Sequence, residues 1–442
     1  MQDWLGMTAA DLGRGIGTGE INPIALCRTY LDAVEAHPLK DRIYARMTED
    51  RALVEAGAAA ARAASGHRLS LLDGVPISWK DLFDTAGVVT EAGSMLLKGR
   101  TPSRDALVLQ NATAAGLVCL GKTHMSELAF SGLGYNPMTA TPPCVNDAEA
   151  VAGGSSSGAA ASVAFGLAVA GIGSDTGGSV RIPSAWNDLV GLKTTAGRVS
   201  LEGVVPLCKT FDTVGPLCRS VEDAGLLLAA LEGKAAPDLR QADVSGSRFA
   251  VLRTVAFDDI RDAPLEAFDA GIARLADAGA KIEDISVPEV DEAMTLSPML
   301  IPPEAYAQWR DAIEANPEAM YAEILQRFRI GKEVSAADFI AAGHKLAALR
   351  EAYLRAVADY DAVLIPSSAM LPPNLARLNS DHEYYVKENL LALRNTRIGN
   401  LMGLCALTLP LSLPSCGLML MCAPGREERL LRLGAGVEEA LR

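Results

Sequence analysis

From Val151 to Ser174 the chain runs for 24 residues without a charged side chain, and eleven of them are glycine or serine. A segment of this kind must either cross a membrane or sit inside a folded core. A membrane-spanning helix needs about 20 predominantly apolar residues. Here the opening part, Gly153-Gly154-Ser155-Ser156-Ser157-Gly158, is a flexible polar loop, which leaves about 15 apolar residues, too few to cross. The stretch therefore reads as a loop followed by a buried helix and a buried strand. That demands a large core, and 442 residues that are 49% hydrophobic and 21% charged can supply one.

Charge and the rarer residues narrow the function further. Lys and Arg number 40 against 54 Asp and Glu, a net charge of −14, so binding to nucleic acid or another polyanion is not expected. The five histidines, His37, His67, His124, His344 and His382, fall in no HxH, HExxH or cysteine-paired spacing, which speaks against a histidine-built metal site or triad. The eight cysteines, Cys27, Cys119, Cys144, Cys208, Cys218, Cys405, Cys416 and Cys422, are dispersed without a CxxC pair. Dispersed thiols in a long acidic chain predict a reduced, cytoplasmic protein. The start, Met1-Gln2-Asp3-Trp4, lacks the basic and apolar regions of a secretory signal.

Helices and short apolar strands alternate along the chain. Thr8-Ala9-Ala10-Asp11 resembles a capping box, and Pro23 suits the first turn of a second helix that turns Ile24, Cys27, Leu31 and Val34 inward. Helices are expected over 49–65, 105–115, 264–278, 335–360 and 427–441, with a short one over 126–130. Strands are expected over 117–120, 169–172, 249–252, 281–287 and 362–366. The strands over 249–252 and 281–287 flank a crossover helix, which implies parallel pairing. No solenoid repeat or low-complexity linker appears, and the polar stretch 235–247 reads as a surface loop rather than a boundary. Length alone would accommodate about three domains of roughly 150 residues.

Gly116 through Thr123 satisfies the phosphate-loop pattern GxxxxGK[ST], yet the order of elements is wrong for it. A helix precedes Gly116, and the four residues between the glycines are themselves the strand, so the pattern is structural. Gly13-Arg14-Gly15-Ile16-Gly17 misses GxGxxG and is turn chemistry. Three segments carry more. Gly74-Val75-Pro76-Ile77-Ser78-Trp79-Lys80-Asp81 puts a lysine at the end of an apolar strand, where burial would lower its pKa. Gly153 through Gly158 places Ser155 after two glycines, and Gly173 through Pro183 is a second loop of small residues leading to Ser179. A serine hydroxyl is a weak nucleophile that needs a base within hydrogen-bond reach, and backbone amides aimed at one point stabilise an oxyanion. With no histidine nearby, a deprotonated lysine is the available base. On spacing alone, glycine-serine turns and a surface lysine remain the competing description.

In this order the three segments resemble the amidase signature family of serine hydrolases. The match extends through Val190-Gly191-Leu192-Lys193-Thr194, Gly121 to Glu127, Asp212-Thr213-Val214-Gly215-Pro216, Tyr360 to Pro366, and Arg394-Asn395-Thr396 with Asn400, and is weakest over about 235–330. The resemblance implies one α/β domain over 1–442 with a large, mixed, twisted sheet covered by helices on both faces. Its signature core would span about 71–219 and a variable substrate-pocket region about 235–330. It further implies Ser179 as nucleophile, Ser155 as a bridging serine after a cis peptide, Lys80 as general base, and an oxyanion hole from the amides of Thr176, Gly177, Gly178 and Ser179. Ala129 and Ser131 match positions lining the acyl side of the site. Asp175 and Arg181, which bracket the nucleophile, read as a structural ion pair.

Ser157, Ala159 and Ser174 depart from the family's usual residues, and none is expected to touch the triad. Cys144 with His124 offers a cysteine-nucleophile alternative, but nothing in the sequence activates that thiol. The implied reaction is hydrolysis of a small or aryl amide through an ester on Ser179, with no metal or organic cofactor. The implied partners are a small-molecule amide and, at most, a second copy in a homodimer, with neither nucleic acid nor membrane. An alternative within the family is an ammonia-releasing subunit of a tRNA-dependent amidotransferase. The acidic balance and the segment Ala129 to Pro137, closer to stand-alone amidases, speak against it. A non-catalytic nucleotide-binding protein is the alternative outside the family. Pocket walls are expected from helices near Tyr306, Trp309 and Phe328.

Overall fold

The computed structural model describes residues 4–442; the first three residues, on which the reading of the N-terminus partly rests, lie outside it. Thirteen strands are found there. The first seven are β1 (Tyr44–Met47), β2 (Pro76–Lys80), β3 (Val118–Thr123), β4 (Pro143–Cys144), β5 (Asp147–Val151), β6 (Ala170–Asp175) and β7 (Val190–Lys193). The others are β8 (Thr213–Cys218), β9 (Arg248–Leu252), β10 (Lys281–Ile285), β11 (Ala362–Pro366), β12 (Cys405–Pro410) and β13 (Gly417–Cys422). Eleven form one sheet in the order β1-β3-β2-β6-β8-β7-β12-β13-β11-β9-β10, and β4 pairs with β5 apart from it.

The sheet is mixed, and β9 and β10 pair in parallel as the crossover helix between them suggested. β2 runs parallel to both β3 and β6, and β9 runs parallel to β10 and β11, whereas β8, β7, β12 and β13 join the two parts through antiparallel pairs. Helices cover both faces, so the central strands are buried throughout and read as continuous apolar or small-residue runs rather than alternating ones. The architecture is the α/β fold with a large mixed sheet that the sequence implied.

Local signals explain several helix ends. Thr8 accepts from the Asp11 amide, Asn22 from the amides of Ile24 and Ala25 ahead of Pro23, and Gly66 closes the helix Glu49–Ser65 in the left-handed region. The uncharged stretch resolves into the short helix Ser157–Ala164 and strand β6. Gly173 in β6 is there for space: a Cβ would lie 2.6 Å from Ser156 Oγ and 2.9 Å from Leu217 Cδ1. No helix or strand occupies 235–247, in keeping with a loop. Among the described residues no helix is long and apolar enough to cross a membrane.

Between β10 and β11 the chain leaves the sheet for three helices, Pro288–Ala315, Ala322–Ile330 and Ala336–Ala356. The first continues through Pro298, Pro302 and Pro303, although each proline deletes a backbone donor. Its buried face, including Leu296, Leu300, Ile301 and Ala305, packs on the other two helices and compensates for the lost bonds. Replacing Gly173 by Ala would overpack the contact with Ser156. A loss of about 1–3 kcal/mol is expected, read as a lower urea midpoint at unchanged m-value.

Candidate active site

β2 and β6 are parallel neighbours, so their carboxyl ends deliver Lys80 and the loop after Asp175 to the same edge of the sheet. Lys80 is fully buried. Its Nζ donates to Ser155 Oγ at 2.7 Å and to Ser174 Oγ at 2.8 Å, and no carboxylate lies within ion-pair distance among the described residues. Burial pushes the amine down to about 7, against the weaker opposing pull of Asp175 and Asp212. Ser174, expected to stand clear of the triad, therefore touches its lysine. Separation along the chain hides this contact, which the parallel pairing of β2 with β6 creates.

Ser155 follows a cis peptide with Gly154. Its carbonyl accepts from the Ser126 amide at 3.1 Å, and the Gly154 amide donates to the Gly132 carbonyl at 2.8 Å. The Ser156 amide donates to the Ser179 carbonyl at 3.3 Å, so the two serine loops are adjacent. The Ser179 hydroxyl makes no hydrogen bond with a described residue. It opens instead into a narrow chamber of about 30 Å³ that Ala129, Ser131, Thr176 and Gly177 also line. Leu128 and Ala129 both have positive φ, 45° and 61°, a costly conformation for residues with a Cβ and one that concentrates at functional sites. Ser131 Oγ donates to Asn389 Oδ1 and accepts from the Tyr385 hydroxyl.

The turn carrying Ser179 is built around the Asp175 carboxylate. It accepts from the amides of Gly178 at 2.9 Å and Val180 at 3.1 Å, from Arg181 Nε and Nη2 at 3.0 and 2.9 Å, and from Asn400 Nδ2 at 2.9 Å. Burial alone would raise its pKa, but Arg181 holds the carboxyl well below the usual range. Asp175 and Arg181 thus form the ion pair that the sequence suggested. The same geometry corrects one member of the expected oxyanion hole, because the Gly178 amide is already bonded to Asp175. No protein acceptor is found for the amides of Gly177 and Ser179 among the described residues. Gly178 is instead required by its φ of 141° and by Thr396, whose Oγ1 would lie 2.0 Å from an added Cβ. The Thr176 hydroxyl donates to Asp212, whose buried carboxyl is raised to about 6.

Other candidates fall away. Lys122 of the false phosphate loop lies within β3, buried against Asp81 and Thr90. Cys144 donates to the Trp186 carbonyl at 3.1 Å, and burial pushes its thiol up, the opposite of an activated nucleophile. Among the described residues no group of three or more His, Cys, Asp or Glu is placed to hold a metal ion.

An outer cavity of about 370 Å³ adjoins the chamber. The helices Pro288–Ala315 and Ala322–Ile330 line it as expected, but through other residues than those named. Phe328 is buried against Phe130, Trp309 donates to the Pro206 carbonyl, and Tyr306 reaches Glu314. Helical phase explains the difference: Arg327, about 100° around the helix from Phe328, is the residue that faces the cavity. Arg327 and Arg397 line both spaces, and neither was marked by a sequence motif.

The sequence profile of the Amidase family matches residues 25–431. A 2-amino-5-chloromuconic acid deaminase of Comamonas testosteroni is 36% identical over 413 residues, 90% of this chain and 89% of that protein. The A subunit of the glutamyl-tRNA(Gln) amidotransferase of Acidothermus cellulolyticus is 31% identical over 491 residues, 100% of this chain and 96% of its own. A crystal structure of an amidase superposes with a TM-score of 0.89 at 30% identity, covering 99% of this chain and 100% of that one.

Removing the Asp175 carboxylate would leave Arg181 buried and unpaired. Asp175→Ala is therefore expected to cost about 3–5 kcal/mol, measured by denaturant unfolding, far more than a surface ion pair.

Proposed function

The chain belongs to the amidase family and is a hydrolase of amide carbon–nitrogen bonds, and on that premise we propose that it cleaves a small or aryl carboxylic amide through an ester on Ser179. Ser179 Oγ attacks the carbonyl carbon while its proton passes to Ser155 Oγ, whose own proton passes to Lys80 Nζ. The amides of Gly177 and Ser179, with Thr176 beside them, stabilise the oxyanion. The C–N bond then breaks as the proton returns along the relay to the departing nitrogen. Water attacks the ester by the same relay in reverse, releasing the acid and restoring Ser179.

One observation carries this reading. Lys80 is a fully buried amine whose only hydrogen-bond partners among the described residues are hydroxyls, so its pKa is lowered to about 7 rather than the amine being locked as an ammonium in an ion pair. A second reading, release of ammonia from glutamine for a partner protein, is favoured by the full-length similarity to the amidotransferase component of Acidothermus cellulolyticus. The net charge of −14 speaks against direct RNA contact in that role. Co-purification of stoichiometric partner proteins, together with glutaminase activity, would establish it.

A fluorophosphonate probe is expected to label wild type and not Ser179→Ala; equal labelling of both would remove Ser179 as the nucleophile. Lys80→Ala should lower amide turnover by about 100- to 10,000-fold with the fold intact by circular dichroism. Because Lys80 acts as a base with its pKa lowered to about 7, kcat/KM should rise with pH through that value. A flat profile over roughly pH 6 to 8 would exclude the lysine as the titrating base.

A further inference from the structure

The inner chamber and the outer cavity share Phe130, Ile301, Arg327 and Arg397, so two guanidiniums stand at the neck between Ser179 and the opening. Neither makes an ion pair or a hydrogen bond to another described residue. The Nε of Arg397 is buried without a partner among the described residues. Arg327 lies over the ring of Phe130, 4.6 Å from its centroid, which fixes its plane while leaving its edge free to donate. Burial lowers the pKa of both, and the charge of Arg327 adds to the lowering of Arg397, to about 10.

Two half-buried, mutually repelling cations without a counter-charge are costly unless a ligand supplies one. Among the described residues no carboxylate pairs with either guanidinium. Glu323 is turned to His382 Nδ1 at 2.5 Å, Glu127 accepts from Ser94 and the Tyr321 amide, and Asp212 accepts from Thr176 and the amides of Leu207 and Cys208. The planar guanidinium fork matches a carboxylate, and Ile301 and Phe130 beside it suit an apolar chain.

We propose that Arg327 and Arg397 together bind a carboxylate on the acyl part of the substrate, so that the amide hydrolysed is the half-amide of a dicarboxylic acid lacking an α-amino group. The acyl part is the portion that stays bonded to Ser179, inside the chamber where both arginines converge. This rests on the Ser179 reaction proposed above and narrows it, since glutamine, with its ammonium, fits the doubly cationic neck poorly.

The test uses the full chain and two readouts. In the first, fluorophosphonate labelling of Ser179 is slowed by competing acids. Adipate should protect about tenfold more effectively than hexanoate, and glutarate about tenfold more than glutamate. In the second, the half-amide of adipic acid should exceed hexanamide in kcat/KM by about 100-fold. Arg327→Gln and Arg397→Gln should each collapse both margins, chiefly through KM. Labelled wild type that shows neither margin overturns the carboxylate assignment and leaves the reaction standing. Preference for a carboxylate on the leaving amine overturns the acyl assignment, and absence of labelling overturns the reaction itself. The wild-type comparisons decide the matter even where a variant fails to fold.

Discussion

The Asp175 carboxylate is the point on which the site turns. It sits at the end of β6, fully buried, and gathers the amides on either side of Ser179, the guanidinium of Arg181 and the amide of Asn400. Arg181 extends the network by donating to the Thr396 carbonyl at 2.6 Å and to Asn400 Oδ1 at 2.6 Å. A strand end, the nucleophile turn and the helix His382–Leu401 are thereby fixed to one another. A buried charge network of this kind adds little net stability over a well-packed apolar one, but its directional bonds define a single conformation for the turn.

Lys80 is treated in the opposite way. Three amide donors and a guanidinium neutralise Asp175, yet among the described residues the lysine at the neighbouring strand end meets only hydroxyls. A carboxylate at ion-pair distance would hold the amine protonated, and solvent would do the same. Placing Lys80 within a sheet, between β3 and β6, removes both. The charges of Asp175 and Asp212 still act on it, but at a distance and against burial, so the amine is poised rather than fixed in one state.

Much of this was legible in the sequence, for definite reasons. Helix ends were visible because capping is local, as at Thr8 and Gly66. The segments around Lys80, Ser155 and Ser179 carried little singly, because glycine-serine loops are mostly turns, and stood out through their order, which resembles the amidase signature family. What escaped depends on contacts across the fold. Ser174 meets Lys80 only through the pairing of β2 with β6, and the Gly178 amide is lost to a carboxylate three residues earlier that a linear reading treats only as a partner for Arg181. The hairpin β12–β13 at the middle of the sheet had no local signal, since strands buried on both faces show no alternation. Arg397 lies one residue beyond the Arg394-Asn395-Thr396 segment that the family resemblance had marked, and Arg327 lies where the resemblance is weakest.

The three helices between β10 and β11 form an excursion that departs and returns within neighbouring strands, for β9 pairs with both. Such an arrangement makes one wall of the substrate cavity exchangeable: its sequence can drift, lengthen or be replaced with little effect on the strands that present Lys80 and Asp175. Arg327 travels with that exchangeable wall. Arg397 does not, because its own helix also carries Thr396 and Asn400, which are bonded to the nucleophile turn. The neck thus combines a portable half with an anchored half. A lineage of such proteins could retune what it accepts by altering the excursion, while the cation on the anchored helix kept its bearing on the reacting serine.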